Sequence, residues 1–179
     1  MKIIKNILIA IVGFIALVLI VALFVKKEYS VQREIVIDKP DTLVFDYIKY
    51  LKNQDNFSAW AKKDPDMKKE YKGTDATVGF VSAWDGNKEV GTGEQEIKGI
   101  KEGERIDYEL RFIKPFEGVS QAYIITEPAG ANQTKVKWGF DGKGKYPMNI
   151  IHLFMDMDKM VGGDLQAGLQ NLKAILEKQ

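Results

Sequence analysis

The stretch REIVIDKPDTLVFDYIKYLKNQDNFSAW, Arg33 to Trp60, changes its hydrophobic period once, and that change sets the fold class. Up to Asp38 the chain alternates: Val31, Arg33, Ile35 and Ile37 against Gln32, Glu34, Val36 and Asp38, the pattern of a strand. Beyond Pro40, Leu43, Val44, Tyr47, Ile48 and Leu51 recur at helical spacing, with Asp38 to Asp41 supplying capping groups and a proline near the first turn. QDNFSAW fits a second short helix, and KKDPDM closes the unit as a polar loop.

Downstream, strand patterns follow one another with turns between them: MKKEYKG, TVGFVSAWDG, KEVGTGEQEIKGIKEG with ERIDYELRFI, VSQAYIITEP, and QTKVKWGFDGKG. The turns DGN, KEGE, KPFEG and PAGAN are short enough for consecutive antiparallel strands. Val78, Phe80, Ser82 and Trp84 share a face, as do Ile106, Tyr108, Leu110 and Phe112. Arg105, Asp107, Glu109 and Arg111 take the other side. Val136, Trp138 and Phe140 continue the aromatic face.

The chain closes on YPMNIIHLFMDMDKMVGGDLQAGLQNLKAILEKQ, a helical pattern expected to begin near Pro147. On a helical wheel Ile150, Phe154, Met157, Val161, Leu165, Gly168, Leu172 and Ile175 fall on one arc, expected to face the sheet. Strand, two short helices, antiparallel strands and a long terminal helix make an α+β architecture, a curved antiparallel sheet wrapped around that helix.

At the other end, NILIAIVGFIALVLIVALFV, Asn6 to Val25, is long and apolar enough to cross the roughly 30 Å hydrocarbon layer. The apolar run exceeds that of a cleavable signal, and no small-x-small cleavage site precedes KKEYS, so a single-pass membrane anchor is expected. Lys2 and Lys5 on one side nearly balance Lys26, Lys27 and Arg33 on the other, so charge assigns no side to the soluble part. The expected division is 1–27 as anchor and 28–179 as one folded domain.

Formal charge is +1, from Lys+Arg 26 against Asp+Glu 25, which supplies no field to recruit nucleic acid. Cys 0 excludes disulfides and thiolate chemistry, and His 1 leaves any imidazole site resting on His152. His152 and Asp156 are four apart but fall on the solvated side of the wheel, so neither a metal nor another cofactor is expected. GTGEQE continues as strand and is no phosphate loop. Glu94 and Glu96 share a strand face, where solvation suits them better than glycosidase chemistry.

The order of these elements, with REIVIDKPDTLVFDYIKYLKNQDNFSAW, GFVSAWDGNKEVGTGEQEI, LRFIKPFEG, TKVKWGF and GLQNLKAILE, resembles the START and polyketide-cyclase-like superfamily (SRPBCC) over roughly Val31 to Glu177. The resemblance implies a helix-grip fold and binding of a hydrophobic or amphipathic small molecule between sheet and terminal helix. It carries over no universal catalytic residue.

The candidate pocket set is Trp60, Phe80, Trp84, Tyr108, Phe112, Tyr123, Trp138, Phe140, Met157, Asp158 and Val161. Asp158 lies at the edge of the apolar arc, either as a polar hook in the pocket or as a flank residue reaching solvent or a lysine. Met155, Met157 and Met160 are expected to fill core or line an adaptable pocket. Gly162 and Gly163 either bend the helix or admit the sheet closely. Three functions fit: a membrane-anchored binder of a hydrophobic small molecule or lipid; a cyclase, aromatase or hydratase using Asp158 with Tyr108 or Tyr123; and an interaction module with a filled core.

Overall fold

A computed structural model describes residues 2–178. Helix α1 (Lys2–Phe24) is followed by β1 (Glu28–Ile37), α2 (Asp41–Ile48), α3 (Gln54–Phe57) and α4 (Ala59–Lys63). Six strands come next: β2 (Lys68–Lys72), β3 (Val81–Asp85), β4 (Thr92–Lys101), β5 (Arg105–Lys114), β6 (Gly118–Gly130) and β7 (Gln133–Lys143). A 3-10 helix (Met148–Leu153) leads into α5 (Met157–Glu177). The seven strands form one antiparallel sheet in the order β1-β7-β6-β5-β4-β3-β2. β2 to β7 thus pair in sequence, as their short turns require, and only β1 reaches across to β7.

The core lies between the inner face of this sheet and α5, with α2 covering one end. Leu165, Leu169, Leu172 and Leu176 are buried on α5 against Ile37, Ile106, Ile124 and Val136. Burying each such side chain is worth about 1.5–3 kcal/mol. Two glycines of α5 let side chains of the sheet come close. A Cβ at Gly162 would collide with the Arg33 guanidinium, and one at Gly168 would stand 2.6 Å from the Trp138 ring. Gly163 has open space around it, so only the first of the glycine pair admits close approach.

The terminal helix differs from the expected one. It starts at Met157, not near Pro147, because Asp156 adopts an extended backbone and caps it, accepting a hydrogen bond from the Lys159 amide at 3.1 Å. Ile150 and Phe154 therefore leave the predicted arc, and Phe154 is 83% exposed. β3 is also shorter than its pattern. Gly79 and Ala76 take positive φ, and Val78 turns to solvent before the strand begins.

Candidate functional site

Successive rows of inward side chains can be read across the sheet from its register. Ile97, Tyr108, Ala122, Phe140 and Val31 form one row. The next holds Ser82, Gln95, Leu110 and Ser120, and the one beyond it Trp84, Gly93, Phe112 and Gly118. Apart from Ala122 the first row is filled by bulky groups, whereas the next two carry small or polar residues at five of their eight positions. A cavity of about 730 Å³ lies between this part of the sheet and Val161 and Leu165 of α5.

Trp60, Trp84, Phe112, Trp138, Phe140 and Val161 of the predicted set line this cavity. The aromatic walls are mutually braced: Trp60 meets Trp138 edge-on at 6.2 Å, and Trp84 meets Phe112 edge-on at 6.0 Å. Phe80 and Tyr108 are fully buried and lie outside the cavity lining, in the packed row beneath it. Tyr123 points to the opposite, outer face, where its hydroxyl donates to Gln32 Oε1 at 2.9 Å and its ring lies under Arg105. Met157 is half-buried at the start of α5 and does not line the cavity, while Met160 is exposed.

Asp158 sits on the flank of α5, 64% exposed, bound through both carboxylate oxygens by Arg33 at 2.8 and 2.9 Å. Arg33 also donates to the Asp158 carbonyl at 2.9 Å. The flank reading is the one the geometry matches, with an arginine in place of a lysine. The guanidinium holds the Asp158 carboxyl below the usual carboxylate range. Burial holds the Tyr108 phenol well above the usual tyrosine range, so it stays protonated. Asp158, Tyr108 and Tyr123 therefore occupy the helix flank, the packed floor and the outer face, and do not converge as an acid/base set. Glu94 and Glu96, also on the outer face, share the Arg111 guanidinium with Glu109.

Several lining residues were not in the predicted set. Ser82, Gln95 and Ser120 form a polar band in the middle of the wall, with Gln54 and Ser58 across from it on and beside α3. Gln54 Nε2 and Trp84 Nε1 are buried donors with no hydrogen-bond partner among the described residues. The alternation in VSQAYIITEP places Ser120 on the inward face and Tyr123 on the outward one. Gln54 had no such signal, since its placement depends on how α3 packs on α5. His152 is a correction: it does not sit on a solvated helix face beside Asp156. Its ring stands edge-on to Tyr29 at 5.3 Å and borders the cavity. Its Nδ1 lies 3.2 Å from the Lys26 carbonyl, an acceptor, which assigns the proton to that nitrogen. Among the described residues no group of three or more His, Asp or Glu side chains could hold a metal ion.

Solved structures of the same shape are numerous. Norcoclaurine synthase from Thalictrum flavum, solved with dopamine and hydroxybenzaldehyde, matches with a TM-score of 0.65 at 11% identity, over 85% of this chain and 88% of that one. Ara h 8.0201 gives 0.59 at 14% identity, over 85% and 99%. Protein CV1439 from Chromobacterium violaceum gives 0.59 at 15%, over 83% and 96%. At these identities the likeness establishes the helix-grip fold alone. No curated protein matches the chain in sequence. The profile of the family described as polyketide cyclase / dehydrase and lipid transport matches residues 28–177, and the chain belongs to that family.

Proposed function

We propose that this chain is a membrane-anchored binder of an amphipathic small molecule or lipid, with residues 1–27 as the anchor and 28–179 as the binding domain. The observation that carries the reading is the cavity itself: about 730 Å³, within the range of small-molecule sites, walled by aromatic rings and crossed by one polar band. An amphipathic guest matches both parts. Its acceptor group would satisfy the unpaired donors of Gln54 and Trp84, and its apolar body would lie against Phe112, Trp138, Phe140 and Val161. α1 supports the anchor. It is 23 residues long, long enough and apolar enough to cross a bilayer, and all but a small part of it is unburied by the domain. The scattered positions of Asp158, Tyr108 and Tyr123 favour binding over acid/base catalysis, and the open cavity favours it over a filled interaction module.

Native mass spectrometry of the detergent-extracted full chain tests both halves. The expected result is an intact mass that still includes α1, with an additional bound amphiphile that Ser120→Phe removes by covering the polar band. Repeated preparations that carry no guest and bind no fluorescent fatty acid would sink the binding reading. A mass beginning after Val25 would sink the anchor.

A further inference from the structure

The end of α1 does not hang free of the domain. The segment before α5 hydrogen-bonds carbonyls of its last turns and of the link to β1. Buried Asn149 donates through Nδ2 to Ala22 O at 2.7 Å and Val25 O at 3.0 Å. Tyr146 Oη donates to Leu19 O at 3.3 Å, and the Gly144 amide donates to Lys27 O at 2.7 Å. At about 1.5 Å per residue, Leu19 lies about 7.5 Å below the end of the helix. The residues bonded there are held at the same depth as the last turn and a half of α1.

That same segment borders the cavity mouth. Met148, Ile151 and His152 line the opening from one side and Pro115 and Phe116 from the other. Around it stand apolar side chains that the protein leaves uncovered: Phe116 69%, Met148 52%, Leu153 56% and Phe154 83% exposed. Lys114 and Lys145 line the cavity beside these groups, together with Glu117, and Lys26 and Lys27 follow the end of α1; the four lysines make no ion pair among the described residues. Lys27 lies 6.0 Å over the Tyr146 ring. Exposed apolar groups, a tyrosine and a lysine rim at the end of a spanning helix have the composition of a bilayer interface.

We infer that Tyr146–Phe154 and the Pro115–Phe116 loop sit in the interfacial layer of the bilayer that holds α1, so that the cavity opens onto lipid and exchanges its guest with the membrane. The inference rests on the anchored-binder reading above. It adds which surface meets the membrane and from which phase the guest enters.

The chain has no cysteine, so single labels can be placed freely. The full chain carrying Phe154→Cys, Phe116→Cys or, at the β6–β7 turn, Ala131→Cys is labelled with an environment-sensitive dye and reconstituted into phosphatidylcholine vesicles containing phosphatidylglycerol. Labels at 154 and 116 are expected to be quenched by nitroxide lipids and shielded from aqueous iodide, and the label at 131 to behave oppositely. Equal iodide access at all three positions would overturn the inference. A second measurement follows transfer of a fluorescent fatty acid from the vesicles. The double variant Leu153→Glu, Phe154→Glu, neither residue lining the cavity, is expected to slow uptake about tenfold or more while leaving binding in detergent unchanged. Unaltered uptake would overturn it. If the unmodified chain binds no fatty acid even in detergent, the binding reading fails, and the label depths still decide the membrane contact.

Discussion

The two ends of the sheet's inner face obey the same alternation and reach opposite outcomes. Toward α2, the inward rows hold Ile100, Ile106, Ile124, Ile35 and Val136, and they pack in one cluster with Leu169, Leu172 and Leu176. Toward the mouth, Ser82, Gln95, Ser120 and Gly118 stand among the larger Leu110, Trp84 and Phe112 at the inward positions, and a cavity remains. Period 2 decides which residues point inward, and side-chain size decides whether they meet anything. A helix-grip domain is therefore a packed protein at one end and a container at the other.

The sharpest way to break this contrast is to make matched changes at the two ends. Leu172→Ala, at the packed end, is expected to cost about 2–5 kcal/mol in chemical denaturation, because the void it leaves cannot collapse. Ser120→Phe, at the open end, turns its ring into free volume and is expected to cost clearly less stability than Leu172→Ala while abolishing guest binding. If both variants lose stability equally, the upper end is not a preformed container. Next in size, Asn149→Leu keeps the volume but deserts the carbonyls of Ala22 and Val25, at a cost of about 1–3 kcal/mol. Hydrogen exchange should show it as faster exchange confined to 144–153.

A smaller effect is expected at Gly162→Ala, where the new methyl group displaces the Arg33 guanidinium and loosens the first turn of α5. It is read as increased exchange at 157–162. Smallest is the pH dependence of the Arg33–Asp158 pair. The Asp158 pKa is depressed in the folded chain, so the pair stabilises it above the ordinary carboxylate range. That contribution is lost as pH falls through the lowered folded value. Asp158→Asn should flatten this part of the acid-unfolding profile. An unchanged profile would show that the pair contributes nothing, as exposed pairs often do.

How much of this was legible in the sequence follows from the same contrast. Alternation alone carried Trp84, Phe112, Trp138 and Phe140 to the inner wall, and it also sets Tyr123 on the side opposite Ser120, against the expectation that Tyr123 lines the pocket. The start of α5 was not legible, because the apolar spacing of NIIHLFMDMDKM runs through the break without interruption. What separates it from the preceding turn is partly tertiary, since Asn149 turns its side chain to the carbonyls of α1, and partly local, since Asp156 caps the Lys159 amide. His152 was misplaced for the same reason, since a wheel drawn through a break assigns faces that do not exist. The partner of Asp158 was 125 residues away, on a strand, and became readable only once Gly162 was seen to make room for it.

The central claim is that the upper half of the fold is a container for an amphiphile, and the chain supplies its own reporter. All three of its tryptophans, Trp60, Trp84 and Trp138, line the cavity. Titration of the detergent-solubilised full chain with a brominated fatty acid should therefore quench tryptophan emission saturably at one guest per chain, and Ser120→Phe should abolish that quenching. Emission that falls only linearly with added fatty acid, or saturable quenching that Ser120→Phe leaves intact, would contradict the account.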